Sequence, residues 1–150
     1  MPSEDREALL RHYREMRAEL LAAIDGLSDE QLTEHTLDGW SVTDHLNHLS
    51  LWDEIRAAEV LRISAGFASA WRMAGRDGEY SGLGYDMRAE FSVAQTRWEL
   101  EASRQRLLDA IASATERGLD GSLYGEAGLK STHEAQHTSW IKRWRGERSY

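Results

Sequence analysis

Apolar residues recur at every third or fourth position along most of this sequence, which is the spacing of amphipathic helices. Residues 3–26 carry one such stripe and predict a first helix, with Ser3 as its N-cap and Gly26 as its stop. A short helical turn is predicted at residues 28–32, and the chain then loops to Gly39. The opening part of the chain is therefore predicted to be helical, with one loop.

A second helix is predicted to begin at Ser41, where Ser41 and Asp44 fit a capping pattern, and to run to about Ile63. On the helical wheel His48 lies beside the apolar side of this helix, and His45 falls between two apolar groups. The side predicted to point away from the core carries Asn47, Ser50 and Glu54. The second helix therefore brings histidine to its inward arc.

The third long helix is predicted to start at Asp86 and to end at about Arg117, with a charged, solvent-facing middle over residues 99–106. Trp98 is one of its predicted apolar positions. Before this helix, residues 64–85 hold five glycines and predict a long irregular connection. Long connections in compact domains usually have a role, so this one is expected to be a crossover between helices, a lid over a pocket, or both.

The final helix is predicted over residues 131–144, after a second glycine-rich connection at residues 118–130. Its tryptophans Trp140 and Trp144 share a stripe with two histidines, and that stripe is expected to face a core. Four amphipathic helices with two long connections predict an all-α fold, a four-helix bundle, in a single domain spanning residues 1–150.

The last helix carries two histidines four residues apart, His133 and His137, one above the other on the same face. Their imidazoles can converge on one cation, and His48, with His45 nearby, brings a further inward ring from the second helix. Imidazole ligands without sulfur favour Zn²⁺, with Ni²⁺, Mn²⁺, Fe²⁺ or Co²⁺ as alternatives, and leave positions open for water or substrate. The competing interpretation is a structural bundle whose histidines are hydrogen-bonded core residues.

Glu134, which follows the first of these histidines, has three interpretations. With Ser131 it fits a Ser-x-x-Glu capping box. The segment from His133 to His137 also matches His-Glu-x-x-His, the zinc-peptidase motif in which the glutamate is the general base. Such peptidases usually take a third ligand further downstream, and no histidine follows His137, so peptidase activity is disfavoured. Glu134 stays a candidate catalytic acid or base.

Composition excludes several classes of protein. The formal net charge is −8, from 18 basic and 26 acidic residues, which disfavours nucleic acid as a partner. The absence of cysteine excludes disulfides, thiolate ligands and a cysteine nucleophile. The longest apolar-looking stretch, residues 63–71, is far shorter than a membrane span. With no targeting signal at the N-terminus, we expect a cytoplasmic protein with neither a nucleic-acid nor a membrane partner.

Two segments together resemble the DinB-like superfamily, which has mycothiol-dependent maleylpyruvate isomerase and bacillithiol S-transferase relatives. One runs over residues 40–49 and contains Trp-Ser-Val-Thr-Asp-His-Leu-Asn-His-Leu. The other is the terminal pair His133 and His137, followed by Ile141 and Trp144. The resemblance implies a four-helix bundle with up-down-down-up topology and a long connection between the second and third helices.

The resemblance also implies a divalent-metal site. The second-helix ligand of the family matches His48, and the last-helix ligands match His133 and His137. His45 is then expected to be a pocket or supporting residue, not a ligand.

The family does not fix the reaction. It implies a metal-dependent enzyme acting on a small molecule, either a thiol-dependent S-transferase or isomerase or a hydrolase, with a low-molecular-weight thiol as a potential cosubstrate. The expected pocket residues are His45, Trp52, Tyr85 and Trp140. The alternative is a non-catalytic binding or resistance protein that holds a metal or a reactive small molecule. A homodimer is a further expectation, because relatives often pair and twofold dimers are the commonest oligomers.

Overall fold

The structure is a computed structural model that describes residues 4–35, 39–71 and 77–150. These residues form six α-helices and no strand, so the all-helical prediction is confirmed. The helices are α1 (Arg6–Ile24), α2 (Asp29–Thr33), α3 (Val42–Ser64), α4 (Asp77–Arg88), α5 (Val93–Ala112) and α6 (His133–Arg148). Two 3₁₀ turns, Arg117–Leu119 and Gly121–Leu123, lie between α5 and α6.

Local chemistry sets the ends of α1 and α3 much as the sequence predicts. The α1 N-cap is Asp5, whose carboxylate accepts hydrogen bonds from two backbone N–H groups of the first turn, and the predicted cap Ser3 lies outside the described residues. Past the end of α1, Gly26 adopts a φ of +80°, a conformation that favours glycine. The Ser41 side chain accepts from Asp44 N–H, and the Asp44 carboxylate accepts from Ser41 N–H. The predicted start of the second long helix is therefore confirmed.

The predicted third helix is wrong at both ends. The long helix begins at Val93 behind the N-cap Ser92 and ends at Ala112, whereas Asp86 lies inside the separate helix α4. Helix α4 occupies the end of the stretch that was predicted to be irregular, because its glycines obscure the helical pattern. One of them, Gly84, has a structural reason: a Cβ at this position would lie 2.3 Å from Leu51 Cδ2 of α3.

The predicted capping box at the start of α6 is also wrong. The N-cap position is Thr132, and its side chain makes no capping bond. Ser131 instead accepts from the backbone N–H of His133 through its Oγ, while its own N–H donates to the hydroxyl of Tyr13. A ring nitrogen of His12 lies 2.7 Å from the Ser131 carbonyl oxygen. The entry into α6 is therefore held by side chains of α1.

Two hydrophobic clusters make the core, and helices α1, α3 and α5 contribute to both. Several residues lie on the opposite side from the prediction. Asn47 and Ser50, which were predicted to face away, are buried, whereas Trp98 is 60% exposed and Trp140 is 43% exposed. Among the described residues, no helix is long and apolar enough to cross a membrane.

Candidate metal centre

Three histidines from two helices meet at one point of the structure. His48 comes from the second turn of α3, and His133 and His137 come from the first two turns of α6. One ring nitrogen from each lies within 4.8 Å of the others. The two Nε2 atoms of His133 and His137 are 3.0 Å apart, and the His48 ring centroid is 5.1 Å from each of the other two. The arrangement brings three potential nitrogen ligands to one locus.

His45 supports this cluster from one turn earlier in α3. Its Nδ1 shares a 2.7 Å hydrogen bond with Nδ1 of His137. This contact leaves Nε2 of His137 directed at His133 and constrains which nitrogen carries the proton, as partners of metal-binding histidines commonly do. Trp40 packs edge-on against both histidines of α3, with ring centroids 5.3 Å from His45 and 5.5 Å from His48. The rings are thus fixed by contacts outside the cluster itself.

The electrostatics of the cluster favour neutral imidazoles. Burial, reinforced by the neighbouring rings of His133 and His45, lowers the pKa of His48 to about 4. Burial and the surrounding histidines lower the pKa of His137 to about 2. Neutral rings are the form that binds a metal ion. Nδ1 of His48 is also buried without a hydrogen-bond partner among the described residues. The donor set therefore fits a divalent metal.

A cavity of about 300 Å³ opens beside two of the histidines. Its described lining combines imidazole, indole, hydroxyl and charged groups: His48, Trp52, Arg56, Ser81, Glu126, Ala127, Ser131 and His133. Its size and its mixture of apolar and polar groups suit a small organic ligand. Any ligand in this cavity would contact residues of the histidine cluster.

The predicted pocket residues have different environments. Trp52 lines the cavity and packs against Trp71 with ring centroids 5.3 Å apart. Tyr85 stacks on Trp40 instead, at 5.5 Å and 23°. Trp140 lies 5.0 Å from the His137 ring on the exposed side of α6. Of the four predicted residues, Trp52 alone is among the described lining of this cavity.

Glu134 points away from the histidines into a buried ionic cluster. Its Oε1 accepts hydrogen bonds from Arg17 at 3.0 Å and from Arg104 at 2.7 Å. Asp53 accepts from the same two arginines at distances of 3.0 to 3.1 Å. Since Arg17 and Arg104 hold the Glu134 carboxylate, the structure does not support the peptidase interpretation, in which this carboxylate must be free to take a proton beside the metal.

This ionic cluster of Arg17, Asp53, Arg104 and Glu134 draws one residue from each long helix, and all four side chains are at least nine-tenths buried. Sequence reasoning missed it and assigned residues 99–106 to solvent. A signal was nevertheless present. Arg104 follows Leu100 by four residues and precedes Leu107 by three, so it occupies a core-facing position of an apolar stripe. A charged residue at such a position indicates a buried partner of opposite charge.

Comparison with known families identifies the class of protein. The family model of the DinB superfamily matches residues 12–141, so the chain belongs to this superfamily. The recognition based on the two histidine segments is therefore confirmed. The superfamily includes metal-dependent enzymes.

A solved structure shares the fold. The crystal structure of an uncharacterised protein from Escherichia coli UTI89 matches with a TM-score of 0.77 at 14% sequence identity, covering 99% of this chain and 96% of that chain. At this identity the likeness shows the fold alone. No curated relative matches the sequence.

Proposed function

We propose that this protein is a divalent-metal-dependent enzyme acting on a small molecule, with the metal held by His48, His133 and His137. One observation carries the proposal: three imidazole nitrogens from two helices lie within 4.8 Å of one another beside a cavity. The lowered pKa values of His48 and His137 support it, because both rings are neutral at physiological pH. Membership of a superfamily that includes metal-dependent enzymes is consistent with it.

A bound divalent metal would supply Lewis acidity and lower the pKa of a bound water or thiol. The nitrogen donor set favours Zn²⁺, with Ni²⁺, Mn²⁺, Fe²⁺ and Co²⁺ as alternatives. The surrounding residues have supporting tasks. His45 orients the ring of His137, and Trp40 and Trp52 pack against the histidines of α3. The reaction classes that suit this site are thiol-dependent S-transfer or isomerisation and hydrolysis.

The finer expectations stay predictions. They are the up-down-down-up order of the long helices in a four-helix bundle, a single domain, a low-molecular-weight thiol cosubstrate, a homodimer and a cytoplasmic location. Each of these expectations rests on the family resemblance or on the composition of the sequence.

The first experiment is elemental analysis of the purified, untagged protein and its histidine variants. We expect about one equivalent of metal in the wild type and its loss in His48→Ala, His133→Ala and His137→Ala, because a divalent ion needs all three protein ligands. The matched control is His35→Ala, which removes an exposed histidine outside the cluster. Absence of metal after reconstitution, or an unchanged stoichiometry in His133→Ala, would contradict the assignment.

The second measurement separates catalysis from binding. The metal-loaded protein is screened with electrophilic small molecules in the presence and absence of thiols, and product formation is followed against the His133→Ala variant. Turnover that requires His133 supports an enzyme. Stoichiometric, tight ligand binding without turnover would instead support the alternative, a non-catalytic binding or resistance protein.

A further inference from the structure

Arg56 is a buried cation in the wall of the cavity beside the histidines. It lies on α3, two helical turns after His48, and it is 5% exposed. Its guanidinium donates only to backbone carbonyls: Nε to Ala127 and Gly128 at 3.2 Å each, and Nη2 to Ala127 at 2.9 Å. These contacts fix the plane of the guanidinium group against the segment that precedes α6.

Arg56 forms no ion pair with any residue that the structure describes. Among the described residues, no carboxylate oxygen lies within 4.0 Å of its guanidinium nitrogens, and Nη1 donates to no partner. Buried cations in proteins are almost always paired with an anion, because removing a charge from water is costly. Arg17 and Arg104 in the same structure obey this rule, and each contacts two carboxylates. Arg56 departs from this rule, and among the described residues it is the buried arginine that borders the cavity.

The surroundings indicate what would complete the pairing. A guanidinium presents parallel N–H groups that match the two oxygens of a carboxylate. Beyond Arg56, the cavity offers the indole of Trp52 and the hydroxyl of Ser131, and it leads to His133. Eight residues of α3 separate Arg56 from His48, about 12 Å along the helix axis. A small molecule anchored at Arg56 would therefore extend toward the histidine cluster.

We propose that Arg56 is the anion-recognition residue of this cavity, and that the physiological ligand is a small molecule bearing a carboxylate. A carboxylate can pair with the guanidinium through two oxygens. A phosphate would bring a second negative charge into a cavity whose lining already includes the carboxylate of Glu126. The inference names the substrate class of the proposed metal-dependent enzyme and rests on that function only for what happens to the ligand after it binds.

The test compares benzoate with benzamide, which has the same shape but no charge. Binding is followed by NMR chemical shifts, including the indole N–H of Trp52, on chelator-treated protein so that a metal ion cannot ligate the carboxylate. We expect benzoate to bind at least about tenfold more tightly than benzamide, since hydrogen bonds to an ionised partner are the stronger ones. Equal binding of the two probes, or binding of neither, would overturn the proposal.

Variants of Arg56 test whether the preference for benzoate over benzamide depends on this residue. Arg56→Met should abolish the preference for benzoate, and Arg56→Lys should keep part of it, because it retains the charge but loses the paired N–H groups. The matched control is Arg106→Met, which removes an arginine whose side chain is 57% exposed and remote from the cavity. A preference that survives unchanged in Arg56→Met would contradict the proposal. If Arg56→Met does not fold, the Arg56→Lys variant provides the test. An affinity of Arg56→Lys for benzoate equal to that of the wild type would contradict the proposal.

Metal content is measured on the same preparations before chelator treatment, to separate the two proposals. A benzoate preference that depends on Arg56 in a protein that never retains metal would support the anion site and refute the metal-dependent function. Full metal occupancy without any benzoate preference would leave the metal site intact and refute the anion site.

Discussion

Two buried regions of this protein handle charge in opposite ways. In the ionic cluster, two arginines and two carboxylates from the four long helices neutralise one another within 2.7 to 3.4 Å. In the cavity beside the histidines, Arg56 is as deeply buried, but within the described part of the chain its partners are backbone carbonyls alone. Both regions lie along α3, at Asp53 and at Arg56, three residues apart.

The difference distinguishes a set of mutually neutralised charges from a cation without an ion pair among the described residues. The four charges of the ionic cluster neutralise one another and have no capacity left for a ligand. Removing one of these side chains would leave the others without a counter-ion in a buried environment. Arg56, in contrast, can still pair with an anionic ligand. His48 can also take a further partner, because its buried Nδ1 lacks one among the described residues. Arg56 and His48 therefore combine unfilled bonding capacity with a position in the cavity lining.

The largest expected effect is on the ionic cluster. Asp53→Ala should lower the free energy of unfolding by about 3–5 kcal/mol, because Arg17 and Arg104 would lose a shared buried counter-ion. Urea denaturation followed by circular dichroism measures this change. The control Glu19→Ala breaks an exposed pair with Lys142 and should cost less than about 1 kcal/mol. Equal losses in the two variants would remove the distinction between the cluster and an ordinary surface pair.

The histidine cluster should give the next largest effect, a dependence of stability on pH. The folded-state pKa of His48 is about 4 and that of His137 about 2, both below the unfolded value of 6.5. Below pH 6.5 the unfolded chain therefore binds protons that the folded protein does not. The free energy of unfolding of chelator-treated protein should fall on acidification from pH 6.5 toward 4, by up to about 1.4 kcal/mol per pH unit for each histidine.

Urea titrations across this pH range, compared with a His48→Asn, His137→Asn double variant, isolate the contribution of the two histidines from that of the carboxylates. The double variant should have a shallower slope, and the control His35→Asn should keep the slope of the wild type. A double variant with the slope of the wild type would mean that the two rings are not neutral in the folded protein.

The smallest effect is expected at Arg56. Arg56→Met loses hydrogen bonds to two backbone carbonyls but also removes an uncompensated buried charge, so it should change the free energy of unfolding by only about 1 kcal/mol. Arg104→Met is the matched comparison, since it leaves Asp53 and Glu134 short of a cation, and it should cost several times as much. Thermal and urea denaturation of both variants check this contrast. Equal losses would mean that Arg56 is a structural residue like Arg104.

Helix periodicity and capping chemistry were sufficient for much of the architecture. The start of α3 at Ser41 and the stop of α1 near Gly26 depend on groups within a few residues of each other, so they can be predicted from sequence. The start of α6 could not, because Ser131 is held by Tyr13, 118 positions earlier in the chain. Helix α4 was missed because its glycines obscure the helical pattern, and the packing of Gly84 against the Leu51 side chain of α3 is a contact that no local pattern reveals.

The histidines illustrate the same division. Helical spacing by itself placed His133 and His137 on one face and brought His48, with His45 nearby, to the inward arc of the second helix. The family resemblance then selected His48 as the third ligand. Only the folded chain shows that the three rings come within reach of one another, that His45 bonds to His137 and that burial lowers the pKa of His48 and of His137. Burial depends on neighbours from other helices, so it is not a property of the α6 sequence.

The sequence by itself determined that this protein is helical, where its capped helices begin, and which family it belongs to, because those features rest on short-range periodicity and on two compact motifs. The tertiary structure decided which charges are satisfied. Glu134 and Arg56 are both charged residues on helices, yet Glu134 completes an ionic cluster, whereas Arg56 borders a cavity and forms no ion pair with the residues that the structure describes. The physical reason is that a charge is neutralised by groups that are close in space. Such groups can be far apart in the chain, as Arg17 and Glu134 are, at a separation of 117 positions.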